Sequence, residues 1–434
     1  MPPSLAWQQW PPGGRIQPLS FAVAMALLVL LVIVLGAIEQ IAHRRQLASI
    51  PIRIHVNGTR GKSSVVRLIA AALRENGTRV YAKTTGSLAR MIAADGAEFP
   101  VYRAGPTNVI EQLRILAIAA REGAEAVVIE CMALQPGLQS LCELRMIRST
   151  HGVVSNAWPD HLDVMGPTDR DVALALAGTC PVDGKLFTTE RKYLAIFESA
   201  CIDRGSELVA VGADEVSEVR AEDMARFAYI EHPENVRLAL AVVESLGVSR
   251  ATALDGMVGA TPDAGALQEF NLDFFGREVV FVNGFAANDP VATERIWNLT
   301  LERHPEVRTR IMVINCRFDR PDRSRQLGEA LPSWVPADRY FLVGTGTYAV
   351  AQTAVAAGLS STLLTPLEGE SPAIAFEDIM GACGRTAVVM GAGNIAGAGF
   401  ELLRYFRNRA RLPDDPSDPE QDDPRRSVGT GEAR

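Results

Sequence analysis

The sequence predicts an α/β protein: an N-terminal transmembrane helix, a central domain built on a mostly parallel sheet, and a smaller C-terminal α/β domain. Three features carry that reading. Phe21 to Ile38 (FAVAMALLVLLVIVLGAI) is an eighteen-residue run without a charge. From residue 52 onward, short apolar runs alternate with stretches of helical periodicity, as parallel strands joined by helices do. A glycine-rich segment, Asn57-Gly58-Thr59-Arg60-Gly61-Lys62-Ser63-Ser64, joins the first such strand to the first such helix.

As a helix, Phe21 to Ile38 spans about 27 Å, close to the hydrocarbon thickness of a bilayer. It is longer than the apolar core of a signal peptide, and no clear cleavage pattern accompanies it. A buried core helix is the other structure such a run could form. Arg15 alone precedes it, whereas Arg44, Arg45 and Arg53 follow. The positive-inside bias therefore predicts a single-pass membrane protein, its body cytoplasmic and residues 1–20 an extension.

The 434-residue chain is long enough for two core-forming domains. A net charge of −8, with no basic stretch interleaved with aromatics, argues against nucleic acid as a partner. Six scattered cysteines form no CxxC pair, which excludes a disulfide framework or zinc site and fits small buried apolar residues in a reducing compartment.

Residues 52–56 (IRIHV) read as the first strand. A helix over 63–75 follows, with Val65, Val66, Leu68, Ile69, Ala72 and Leu73 on its apolar side and Gly77 placed to end it. Further strands are expected at 79–83, 125–129, 151–155, 185–189 and 207–211, and a helix at 233–246. The turn-rich stretch 259–272 (GATPDAGALQEFNL) predicts a boundary between a central domain over 45–265 and a C-terminal domain over 272–411. The second domain is expected to hold strands near 278–283, 310–315, 339–343 and 386–391. The last runs into Gly391 to Gly397 (GAGNIAG), which reads as a tight strand-to-helix turn more readily than as a dinucleotide fingerprint. Residues 412–434 are Pro- and Asp-rich, with little to bury, and are expected to be disordered.

A strand, a glycine-rich turn and a helix together make a phosphate-binding loop. Glycines let backbone N–H groups approach the phosphates, and the helix N-terminus adds favourable partial charge. Lys62 would reach the β/γ-phosphates and the Ser63 hydroxyl a magnesium ion. Val56 occupies the first glycine position of the long form of this loop, so the pattern is the shorter GTxGKS. Magnesium favours hard oxygen ligands, which α/β folds supply from the carboxyl ends of strands. Glu130 stands at such an end, after AVVI. The next strand leads into Ser155-Asn156-Ala157-Trp158-Pro159-Asp160-His161-Leu162-Asp163, where His161 reads as a metal or phosphate neighbour. Asp160 and Asp163 fit either a site role or capping of the following turn.

GTRGKSS, the strand-end Glu130 and SNAWPDHLD together resemble the Mur ligase superfamily, which includes folylpolyglutamate synthase. The likeness continues through His232 and Asn235 in EHPENVRLALAVVESLG, and through Asn288 in GFAANDPVA. A membrane segment leading into the loop, with ECMALQP, SNAWPDHLDVMGPT and NCRFDRPDRS, is similar within that superfamily to the poly-γ-glutamate synthase ligases. The resemblance implies a Mur-ligase-like central domain and a Rossmann-like C-terminal domain. It also implies an amide ligase using ATP and Mg2+, which phosphorylates a poly-γ-glutamate acceptor and joins glutamate to the acyl phosphate.

By the same resemblance, Gly58, Thr59, Arg60, Gly61, Lys62, Ser63, Ser64, Asn235 and Asn288 contact the nucleotide. Lys62, Glu130 and His161 are catalytic, and Ser63, Thr85, Glu130 and His161 hold metal. Small membrane subunits of a synthase and export complex are the implied partners. Arg60 stands where the family usually has Asn, and is either a phosphate clamp or a solvated side chain. The lysine that many members carbamylate has no counterpart before Lys185, which is expected in a turn ahead of its strand. The short segment before the loop leaves no room for a separate domain binding a peptidoglycan precursor. Arg317, Arg320, Arg323 and Arg325 would bind glutamate or an acidic polymer, or form a solvated face. Two alternatives stand beside this reading: a ligase polyglutamylating folate or another cofactor, and a membrane ATPase subunit that forms no amide.

Overall fold

The computed structural model describes residues 18–85, 89–103, 107–227, 229, 231–262, 267–285 and 290–410. The expected disordered tail at 412–434 and the nucleotide contact Asn288 lie outside them.

Helix α1 (Pro18–Ser49) contains the apolar run but does not stop with it. Phe21 to Ile41 are solvent-facing, while His43, Leu47 and Ile50 are buried against the body, where α1 packs on α3 (Glu111–Arg121). This stripe at helical spacing is why the helix runs eleven residues past its predicted end at Ile38. Arg53 closes it, donating to the Leu47 and Ile50 carbonyls (3.2 and 2.7 Å) that a helix C-terminus leaves unpaired.

Eight strands form the first sheet among the described residues: β1 (Ile52–Asn57), β2 (Val80–Lys83), β3 (Arg90–Ile92), β4 (Glu98–Pro100), β5 (Ala126–Glu130), β6 (His151–Val154), β7 (Lys185–Thr188) and β8 (Glu207–Ala210). Their order is β4-β3-β2-β5-β1-β6-β7-β8. All neighbours are parallel except β2–β3 and β3–β4. β5 is a fully buried run (AVVIE), and β1 and β6 are buried toward their carboxyl ends, as strands covered on both faces are. α2 (Lys62–Glu75) covers one face through Val65, Val66, Leu68, Ile69 and Leu73, all fully or nearly fully buried. Each of the larger apolar side chains there contributes about 1.5–3 kcal/mol by leaving water. Helices Pro233–Ser245 and Arg250–Val258 pack on α2 from outside, completing one core.

The second sheet holds β9 (Glu269–Phe274), β10 (Arg277–Asn283), β11 (Thr309–Cys316), β12 (Arg339–Gly344), β13 (Leu364–Pro366) and β14 (Thr386–Gly393), ordered β13-β12-β11-β14-β10-β9. It is parallel except for the β9–β10 hairpin. Part of the stretch expected to be a turn-rich boundary is therefore strand. β9 is held by pairing with β10 across Phe275-Gly276, whose positive φ values (51° and 73°) suit a two-residue hairpin turn. Lys185 is also corrected: it is not in a turn but opens β7, beside Glu207 (3.1 Å), at the strand start and away from the phosphate loop.

Candidate active site

β1 ends and α2 begins across Asn57–Gly61, and the loop conformation depends on two glycines. Gly58 has φ 128° and Gly61 φ 80°. A Cβ at Gly58 would stand 2.1 Å from Ser155 Oγ, and one at Gly61 would stand 2.5 Å from Asn235 Oδ1. The base of the loop is fixed from below, where Asn57 Nδ2 donates to Gln139 Oε1 (2.8 Å) and Thr179 Oγ1 (3.3 Å). Its side is fixed by the segment after β6. Asn156 Oδ1 accepts from Thr59 Oγ1 (2.6 Å) and Arg60 N (3.0 Å), and Ser155 Oγ donates to Arg60 O (2.5 Å). Lys62 Nζ lies over the loop, donating to Gly58 O (2.7 Å) and Thr59 O (3.3 Å).

Glu130, the last residue of β5, is buried with its carboxylate against the first turn of α2. Its Oε2 accepts from Ser63 Oγ and from the Thr85 backbone N–H, both at 2.8 Å. The structure thus brings Ser63, Thr85 and Glu130 to one point. A hydroxyl and a carboxylate beside a phosphate loop are the hard oxygen donors that magnesium prefers. Among the described residues, no three His, Cys, Asp and Glu side chains gather as a metal cluster.

His161 is placed differently, in a left-handed conformation (φ 47°) beside Asp160 (Nε2–Oδ1 3.9 Å). Burial lowers its pKa; Asp160 opposes the shift, while the charges of Arg323, Arg320 and Lys62 add to it. Asp160 gathers cations from two domains. Arg60 Nη2 stands 4.0 Å from Oδ2, and Arg323 Nη2, from the C-terminal domain, donates to Oδ1 at 3.2 Å. Asn235 lies under Gly61 and donates to Glu231 Oε1 (2.8 Å). Burial raises the pKa of Glu231, against the opposing effects of Asn235, the His232 backbone and Ser64.

Residues 270–409 match the family model described as the poly-gamma-glutamate synthase CapB C-terminal domain, and residues 56–228 match the Mur ligase middle domain. The capsule biosynthesis protein CapB of Bacillus anthracis is 37% identical over 374 residues, covering 86% of this chain and 80% of that protein. The PGA synthase CapB of Bacillus subtilis is 34% identical over 375 residues, covering 86% and 94%. The chain belongs to the CapB family. Among solved structures, E. coli FolC in complex with ADP superposes on this CapB-family chain with a TM-score of 0.65 at 17% identity, covering 86% of it and 94% of FolC. Folylpolyglutamate synthase of Mycobacterium tuberculosis, complexed with ADP, gives 0.63 at 16%, covering 87% and 95%. These two likenesses are of fold.

The loop also depends on residues that sequence reasoning did not assign. Gln139, Thr179 and the Asn156 side chain fix the loop from distant parts of the chain, and only the SNAWPDHLD segment marked one of them. The expected arginine cluster divides: Arg317 pairs with Asp319 (2.7 Å) and Arg325 with Asp322 (2.6 Å) on the exposed surface, while Arg323 turns to Asp160. In the GAGNIAG turn, Gly391 packs against the Phe285 ring, and Asn315 Nδ2 holds the Asn394 and Ala396 carbonyls.

Proposed function

We propose that this chain is an ATP-dependent glutamate ligase that lengthens poly-γ-glutamate at the cytoplasmic face of a membrane, within a complex of small membrane subunits. The observation that carries the reading is the phosphate loop with Glu130 against Ser63 and Thr85 in a chain of the CapB family. Gly58, Thr59, Gly61, Ser63 and Ser64 cradle the phosphates of ATP, and Lys62 exchanges its loop carbonyls for the β/γ-phosphate oxygens. Ser63 and Glu130 would hold Mg2+, and the family resemblance gives Thr85 and His161 a second metal position with Glu130. The ion would supply neutralisation of phosphoryl charge. Asn235, through the loop, and Asn288 would approach the nucleotide from the two domains.

An acceptor-chain carboxylate oxygen attacks the γ-phosphorus, the bond to the β-phosphate oxygen breaks, and ADP leaves. The amine of glutamate then attacks the acyl carbon, the C–O bond breaks, and phosphate departs with the proton that the amine gives up. The chain contributes positioning and charge stabilisation, which dominate phosphoryl transfer. One apolar helix at Phe21–Ser49, long enough to span a bilayer, is the reason to place the work at a membrane.

The test is ADP release by membranes containing the full-length chain with its membrane partners, each amino acid supplied in turn. Glutamate-dependent release with growth of a γ-linked polymer, absent in Lys62→Ala, is expected. Release indifferent to glutamate favours the ATPase-subunit reading instead. Dependence on another amino acid keeps the ligase chemistry and discards the polymer.

A further inference from the structure

Asp160, 14% exposed, is shared by a loop residue, Arg60, and by Arg323 from the opposite domain, and the reaction steps above use neither Asp160 nor Arg323. Arg323 lies in the first turn of the helix Pro321–Ala330, which follows β11, and Arg320 is that helix's N-cap. Asp160 thus has Arg60 of the loop at 4.0 Å, Arg323 at 3.2 Å and His161 at 3.9 Å, so side chains of both domains meet beside the loop. Of the four arginines in this stretch, Arg317 and Arg325 pair with acids two and three residues away on the surface. Arg323 instead reaches across 163 residues of sequence to the site.

Resting on the ligase reading, we propose that Arg323 is a catalytic residue supplied by the C-terminal domain to the phosphoryl group in transfer, and that Asp160 is the positioning residue that holds it. As the acceptor oxygen bonds to the γ-phosphorus and the bond to ADP breaks, negative charge spreads over the equatorial oxygens and gathers on the departing β-phosphate oxygen. No proton moves in that step, so its stabilisation falls to fixed cations. Lys62 approaches from the loop side. A guanidinium with a planar fork of five donors can bond Asp160 through one edge and phosphoryl oxygens through others. Arg323 belongs to the second domain, and its bond to Asp160 holds it beside the loop of the first.

The experiment measures glutamate-dependent ADP formation and binding of a fluorescent ATP analogue by full-length protein in its membrane complex. Wild type is compared with R323A, R323K, D160N and the double variant R323A/D160N. We expect R323A to lower kcat by about a thousandfold, the scale of a supplied arginine, with analogue affinity within threefold and an unchanged melting midpoint. Ethylguanidinium should restore part of the R323A rate and none of the rate of Lys62→Ala. R323K should recover little, and D160N should lose about tenfold. The double variant should be no slower than R323A, since Asp160 acts through the arginine.

R323A turnover within threefold of wild type would overturn the proposal. So would a loss confined to analogue affinity, or a kcat loss accompanied by a fall in melting midpoint and no guanidinium rescue. A tenfold or greater rise in the KM for glutamate with kcat retained would replace it with a carboxylate clamp. Wild-type release that ignores glutamate would instead overturn the ligase reading, and this role with it.

Discussion

Gly61 sits under two constraints at once: a left-handed backbone (φ 80°) at the N-cap of α2, and the Asn235 side chain where a Cβ would go. An alanine there costs about 1–2 kcal/mol in backbone strain alone, before the contact with Asn235 is counted. The strain falls on the loop and not on the core, so Gly61→Ala should weaken ATP binding by about tenfold or more while the melting midpoint moves little. Fluorescence titration with an ATP analogue checks this; affinity within twofold of wild type would mean the loop does not hold phosphate in this form. Glu130→Gln is a test of charge at constant size. The amide oxygen that replaces the carboxylate could still accept from Ser63 Oγ and the Thr85 N–H, so the fold should persist. Turnover is expected to fall about a hundredfold and to require more Mg2+ for half-saturation. An unchanged magnesium dependence would remove Glu130 from the metal site.

At the scale of elements, the adjacent strands β1 and β6 carry two histidines, His55 buried and His151 half-buried, whose pKa values are shifted in opposite directions. Burial disfavours charge on His55, but Cys131 and the Glu143 carboxylate, 2.8 Å from its Nδ1, outweigh it and hold its pKa at about 9. His151 is pushed down to about 4 by burial and by the charge of Lys185. The raised pKa of His55 gives stability that is complete below its unfolded value of about 6.5 and is lost as pH rises through about 9. The lowered pKa of His151 gives stability complete above about 6.5 and lost as pH falls toward about 4. The melting midpoint should therefore peak near pH 6.5 or slightly above. Glu143→Gln should flatten the alkaline limb and leave the acid one, as a thermal scan at each pH would reveal; an unaltered alkaline limb would exclude the pair.

The pair also shows where sequence reasoning stops. The turn from β1 to α2 was legible because a strand, glycines and a helix start follow one another in the chain, so local backbone geometry defines it. Glu130 was legible because it ends an apolar run. His55 with Glu143, and Asn57 with Gln139 and Thr179, meet only through packing of distant segments, and nothing local marks them. The short strands β3, β4 and β13 have three residues each, too few for a period, and exist because a neighbouring edge offers them hydrogen bonds.

Across the whole molecule, α1 runs without interruption from the apolar segment into the body, so any membrane attachment is stiff. The helix meets the body through His43, Leu47 and Ile50, side chains close enough along the axis that the body begins about 7.5 Å beyond Ile38. That distance falls within the headgroup layer, so an α1 that spans a bilayer would hold the folded body against the membrane surface and not on a free tether. Leu47→Asp would bury an unpaired carboxylate, costing several kcal/mol, comparable to the whole apolar stripe at about 1.5–3 kcal/mol per side chain. The stripe belongs to the cluster that covers one face of the first sheet through Tyr81, Val127 and Ile129, whereas the core on that sheet's other face and the cores of the second sheet lie elsewhere, so the stripe should open while α1 stays in the bilayer and both sheets stay folded. Arg44 and Arg45 are exposed on this part of α1, but a helix packed along its length resists a protease. In inverted membrane vesicles, Leu47→Asp should raise trypsin cleavage at Arg44–Arg45 at least about tenfold over wild type, following the population of the opened form, and release the catalytic body. Right-side-out vesicles should show no cleavage in either protein. Cleavage there would reverse the orientation inferred from the arginines after the span, and equal cleavage of both proteins in inverted vesicles would mean that the helix swings freely.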